Sequence, residues 1–148
     1  MRKIAVVGQG YVGWPLAKIV ADSGFFVYGI ESNSGVLQDL KSIIEQRKLH
    51  HSIFVTSNYQ YVSEAEIIVV CLPTPLNDFG NPNLEILSSA LAKLRRYAKN
   101  LRLLIIESTV NTGFTRQLEL QFPEIDIAFS PERIDPLNKK CDVKNTPK

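Results

Sequence analysis

Short runs of β-branched and other apolar residues alternate along the chain with longer segments whose apolar positions return every three or four residues. The short runs predict six strands, at residues 3–7, 25–30, 54–56, 67–71, 103–107 and 125–129. The longer segments predict helices at 11–23, 34–48, 84–99 and 112–121, and a short helical turn at 59–65. In the third helix Leu84, Leu87, Leu91, Leu94 and Tyr97 share one face, and Asn83 is placed to cap it. Strands alternating with helices predict an α/β fold, a doubly wound parallel sheet of about six strands with helices on both faces. In such sheets ligands bind outside the carboxyl ends of the strands. The segments just past those ends, 8–13, 31–33, 71–76, 107–110 and 130–133, are all polar or carry glycine or proline.

The first of these segments is chemically the most specific. Strand 3–7 runs into Gly8-Gln9-Gly10-Tyr11-Val12-Gly13 and then an apolar helix. In this Gly-x-Gly-x-x-Gly pattern Gly8 permits a tight turn, Gly10 lets the backbone approach a pyrophosphate, and Gly13 allows close helix–strand packing. The phosphates would lie at a helix N-terminus, where free N–H groups and the helix dipole favour an anion. Glycine turns also join strands to helices for packing alone, so the context decides. The second strand ends in Glu31, 23 residues after Gly8, near the spacing at which a carboxylate accepts hydrogen bonds from an adenosine ribose. That carboxylate would repel a 2′-phosphate, so NAD is expected over NADP. The alternative is a solvated glutamate ending a strand.

Composition bounds the picture without changing it. With 148 residues, 45% hydrophobic and 22% charged, one domain with a real core is expected. A net charge of +2, with dispersed Lys and Arg, gives no footprint for nucleic acid or a membrane surface; Arg95-Arg96 and Lys139-Lys140 are expected on solvated faces. The first apolar run is too short for a signal peptide or a spanning helix, so a cytoplasmic location is expected. Cys71 and Cys141 have no zinc or redox spacing; Cys71 is expected as a small core residue and Cys141 as an exposed thiol. His50-His51 lies in a polar connection. No Tyr-x-x-x-Lys pair supports a complete small reductase.

Two prolines flank Thr74 in Leu72-Pro73-Thr74-Pro75-Leu76 and fix an extended loop after a strand. The glycine turn with Trp14-Pro15-Leu16-Ala17, this loop, Glu107-Ser108-Thr109-Val110 and Phe129-Ser130-Pro131-Glu132-Arg133-Ile134-Asp135-Pro136 occur in that order. Together they resemble the NAD-binding N-terminal domain of the UDP-glucose/GDP-mannose dehydrogenase family, and Ser-Pro-Glu-Arg followed by Ile-Asp-Pro is most similar to the branch that oxidises UDP-N-acetylhexosamines. The resemblance implies a Rossmann-type domain over 1–135 and a tail, 136–148, leading toward an interdomain helix and second domain. It also implies oxidation of a UDP-sugar's primary alcohol to a carboxylate with NAD, through an enzyme-bound thioester, for surface polysaccharide synthesis.

Carried onto this chain, the resemblance implies Tyr11 and Val12 at the pyrophosphate, Glu31 at the adenosine ribose, and Leu72, Pro73, Thr74 and Thr109 along the cofactor. It implies a catalytic role for Thr109 in positioning water and for Glu132 in thioester hydrolysis, with Arg133 and Ile134 touching substrate. From the residues alone, the alternatives are that Thr109 caps helix 112–121 and that Glu132 pairs with Arg133 or another surface cation. The family's nucleophilic cysteine lies in a second domain, and neither Cys71 nor Cys141 matches its motif. These residues are therefore expected to bind NAD without turnover, or else to form a degenerate module whose uncovered apolar surface pairs two chains. Three departures stand out: a short connection between Glu31 and Phe54, Val36 where the family often has a basic residue, and Glu31 in place of the usual aspartate.

Overall fold

A computed structural model of the chain describes residues 1–131. Its elements are β1 (Lys3–Val7), α1 (Gly13–Asp22), β2 (Phe26–Ile30), α2 (Ser34–Gln46), β3 (Ile53–Thr56), a 3₁₀ helix (Tyr59–Glu64), β4 (Ile67–Val70), α3 (Glu85–Tyr97), β5 (Leu103–Ile106), α4 (Phe114–Gln121) and β6 (Asp126–Phe129). All six strands are parallel, in the order β3-β2-β1-β4-β5-β6. The predicted doubly wound sheet is present. The chain winds outward from β1 to β3, then returns to lay β4 against the other side of β1, so strand order reverses between β1 and β4. Val7 pairs with both Ile30 and Val70, and Val70 with Ile106. The carboxyl ends of the four central strands are therefore level, and their exit loops open along one edge.

Strand alternation sends side chains to two cores. On one face Ala5, Val7, Tyr28, Ile30, Ile68, Val70, Leu104 and Ile106 meet the 3₁₀ helix, α3 and α4 through Val62, Leu87, Leu91, Leu94 and Leu118. On the other, Ile4, Val6, Val27, Ile53, Val55 and Val69 meet α1 and α2 through Ala17, Ala21, Leu40 and Ile44. Leu103 and Ile105 stay half-buried, because α1 and α2 cover β1 to β3 more fully than β5. No helix among the described residues is long and apolar enough to cross a membrane.

Most differences from the predicted elements are trims of a residue or two. The fourth helix starts at Phe114, not at residue 112, because Gly113 has left-handed φ of 88° and breaks helical geometry before it. The second ends at Gln46, followed by Lys48 at φ 54°. Leu84, not Asn83, is the N-cap of α3; Asn83 stands one residue earlier and its Oδ1 accepts from the Glu85 N–H at 2.9 Å. Cys71 is half-buried rather than a core residue, because it has already left β4 for the exit loop. Arg95, Arg96, His50 and His51 are exposed, as expected.

Candidate functional site

The glycine turn sits at the point where strand order reverses, and its three glycines are required for different reasons. Gly8 has φ of 87°, and a Cβ there would stand 2.5 Å from the Cys71 carbonyl oxygen on the neighbouring β4 exit. Its N–H donates to Ile30 O at 2.8 Å, tying the turn to β2. A Cβ on Gly13 would stand 1.8 Å from Gly8 O, so α1 can begin only where that residue has no side chain. Gly10 has nothing within 4 Å of its Cβ direction. The first and third glycines thus answer to the protein's own backbone, whereas the second leaves open space. α1 carries no side-chain cap, and Pro15 in its first turn needs no N–H partner. Its N-terminus is suited to an anion.

Glu31, the first residue past β2, is held from two sides. The backbone N–H of Gln9 donates to its Oε2 at 2.9 Å, and that of Asn33 donates to Oε1 at 2.8 Å. Asn33 in turn caps α2, its Oδ1 accepting from Gly35 N–H and Val36 N–H. A carboxylate offers about four lone-pair positions, so one on each oxygen remains after these two bonds. That matches the demand of a vicinal diol.

The exit loops of β4 and β5 form the other wall. Ser108 is buried; its Oγ accepts from the Leu72 N–H at 2.9 Å and lies 3.4 Å from Val70 O. Thr74 Oγ1 donates to Thr109 O at 2.7 Å. Two hydroxyls thereby lock the proline-flanked loop to the β5 exit. Gly10, Tyr11, Val12, Cys71, Leu72, Pro73, Thr74, Glu107, Ser108 and Thr109 line one open cleft of about 390 Å³.

That cleft brings together, among the sequence-derived candidates, Gly10, Tyr11, Val12, Leu72, Pro73, Thr74 and Thr109; Gly8 and Gly13 shape its floor, and Glu31 joins it through Gln9. Thr109 does not cap α4: the N-cap is Gly113, and no side-chain cap hydrogen bond is made there. Glu132, Arg133, Ile134, Lys139-Lys140, Cys141 and the 136–148 tail lie outside the described residues. Tyr59 lines an adjoining cavity with Ser32, Leu72, Ile86 and Lys93. Burial, and then the negative charge of Glu31, raise its hydroxyl pKa above the ordinary 10.0.

Sequence inspection assigned no role to Gln9 or Ser108. Gln9 fills one of the three unspecified positions of the glycine pattern, and nothing in the pattern says which way it points. Ser108 carried one available signal, a hydroxyl directly after an apolar strand.

Residues 2–148 match the model of the UDP-glucose/GDP-mannose dehydrogenase family, NAD binding domain. The chain is 32% identical over 164 residues to a UDP-N-acetyl-D-glucosamine 6-dehydrogenase of Pseudomonas aeruginosa, covering 99% of this chain and 39% of that protein. It is 27% identical to a UDP-N-acetyl-D-mannosamine dehydrogenase of Methanocaldococcus jannaschii, covering 91% of this chain and 35% of that one. Among solved structures, a UDP-D-ManNAc dehydrogenase from Pyrococcus horikoshii superposes with TM-score 0.76 at 28% identity, over 90% of this chain and 37% of its own. These 148 residues therefore span well under half the length of the relatives they match. The chain belongs to the UDP-glucose/GDP-mannose dehydrogenase family and corresponds to its NAD-binding domain.

Proposed function

We propose, with that membership as the premise, that this chain supplies the cofactor-holding part of a nucleotide-sugar 6-dehydrogenase acting on a UDP-N-acetylhexosamine. One observation carries the reading: an open glycine cradle at the strand-order reversal and a doubly tethered carboxylate share one residue, Gln9, between them. NAD fits these residues. Gly10 leaves the backbone clear for a pyrophosphate, the uncapped α1 N-terminus offers N–H groups and a positive dipole end, and Glu31 keeps lone pairs for the 2′- and 3′-hydroxyls. The same lone pairs would face a 2′-phosphate unfavourably, which favours NAD over NADP.

When bound, NAD supplies a hydride acceptor for oxidation of the sugar's primary alcohol. The chain's own contribution is orientation and exclusion of water. Leu72, Pro73 and Thr74, held by Ser108 and by Thr109 O, form a stiff wall along the reactive half of the cofactor. The Thr74 hydroxyl gives its one proton to Thr109 O, so it shapes that wall, and of the two threonines Thr109 is the one whose hydroxyl proton remains to position water. By family resemblance Glu132 assists thioester hydrolysis, and Arg133 and Ile134 contact substrate. Titration of the chain with NAD and NADP by calorimetry tests the reading. Binding of NAD in preference to NADP is expected; no heat with either at millimolar concentration, or preference for NADP, would refute it.

A further inference from the structure

We propose that Gln9 is a positioning residue for Glu31, and that its amide lowers the stability of the fold in doing so. The proposal rests on the crevice being an NAD site, and it concerns a side chain that touches no ligand, since Gln9 is only 2% exposed. The Gln9 Nε2–H donates to Val6 O at 2.7 Å. Its Oε1 is buried and has no hydrogen-bond partner among the described residues. Turning the amide over would set Oε1 against Val6 O, two acceptors face to face, so the carbonyl is forced the other way.

That other way is Gly29. A Cβ there would lie 2.9 Å from Gln9 Cδ, 3.0 Å from Gln9 Oε1 and 2.9 Å from Val55 Cγ1. The missing side chain of Gly29 is the space the Gln9 amide fills. Glu31 lies two residues beyond Gly29, just past the end of β2, and Gly29 is the β2 residue that receives the amide. Around it stand Val6, Val27 and Val55 of the apolar core.

An orphan carbonyl in such a place is unfavourable, and leucine would fill similar volume without one. What glutamine adds is direction. With its side chain pinned to Val6 O and wedged on Gly29, residue 9 cannot rotate, and its backbone N–H stays aimed at Glu31 Oε2. That bond turns the carboxylate's remaining lone pairs outward, to where a ribose would present its hydroxyls. A buried group that breaks the local rule of satisfied polarity is expected at functional sites rather than in plain core.

The test compares the wild-type chain with Gln9→Leu and Gln9→Met by thermal melting, by the residue 9 backbone amide resonance in NMR, and by NAD titration. Both variants are expected to melt at or above the wild-type temperature. Their residue 9 amide should lose exchange protection, and NAD should bind about tenfold more weakly, the loss of one hydrogen bond to a charged group. Variants that melt lower, or that keep the protected amide and wild-type NAD affinity, would overturn the proposal. The two readings separate cleanly. A wild-type chain that ignores NAD defeats the cofactor assignment, and the melting and amide measurements still decide whether Gln9 positions Glu31.

Discussion

Alanine at Gly13 and at Gly10, two substitutions of the same chemistry three residues apart, should both weaken NAD binding but differ in their effect on stability. At Gly13 the new Cβ would stand 1.8 Å from Gly8 O, a backbone atom that no rotamer change can move. Relief to the 3.0 Å below which real Cβ contacts essentially do not occur requires α1 and the turn to part by at least 1.2 Å. Overpacking of this kind costs about 1–3 kcal/mol, and the absence of a soft neighbour places this case near the top of the range. Against it stands the helical advantage of alanine over glycine, about 1 kcal/mol at most. The clash wins by about 2 kcal/mol, which for a domain of this size lowers the melting temperature by about 4–8 °C. Parting α1 from the turn also moves the helix N-terminus off the cradle, so NAD affinity should fall by about tenfold or more. At Gly10 nothing lies within 4 Å and φ is outside the left-handed region, so stability should change by less than about 0.5 kcal/mol. NAD binding should still weaken, because the methyl group occupies the space a pyrophosphate needs. Calorimetric melting and NAD titration of both variants are the assay. A Gly13→Ala chain as stable as wild type would refute the close-approach argument, and a Gly10→Ala chain with wild-type NAD affinity would refute the cradle.

Ser108→Ala removes the acceptor for the Leu72 N–H and should cost about 1–3 kcal/mol in urea unfolding; a change under about 0.5 kcal/mol would show that the hydroxyl does not hold the loop. Glu31→Gln replaces one acceptor oxygen by an NH₂ that meets the donor N–H of Gln9 or Asn33. NAD should bind about tenfold more weakly and the margin over NADP should narrow, whereas an unchanged NAD to NADP ratio would remove Glu31 from the ribose site. Tyr59 has a folded-state pKa raised by burial, so its neutral form is favoured in the native state. Its contribution is full below pH 10 and is lost as pH rises through the raised value. Tyr59→Phe should therefore lose less stability than wild type between about pH 9 and 11; parallel unfolding curves across that range would show that the hydroxyl is not desolvated.

Of the site, the cofactor half was the more legible in the sequence. Glycine at positions 8, 10 and 13 and a carboxylate at 31 are signals because each answers a requirement of backbone or ligand that other residue types meet poorly. The hydroxyl clamp was not legible, since Ser108 and Leu72 are 36 positions apart and meet only through the pairing of β4 with β5. Nor was the glycine of β2. In sequence Gly29 is a weak spot in a strand; in the fold it is the recess for an amide 20 positions earlier. The start of α4 was misjudged because periodicity runs through Gly113 without registering the left-handed backbone that stops it.

By itself the sequence determined the alternation of strand and helix, and with it a parallel sheet, because apolar periods of two and of three to four residues bury themselves in only a few ways. It also determined which strand exits are polar or carry glycine and proline. Only the tertiary structure decided how those exits meet. Strand order placed β4 beside β1, setting Cys71 O against Gly8, and level register brought the Leu72 N–H to Ser108 Oγ. Burial against Gly29 left Gln9 Oε1 without a partner among the described residues. Contacts of that kind depend on distances of a few tenths of an ångström between segments remote in the chain, and those distances are set by packing.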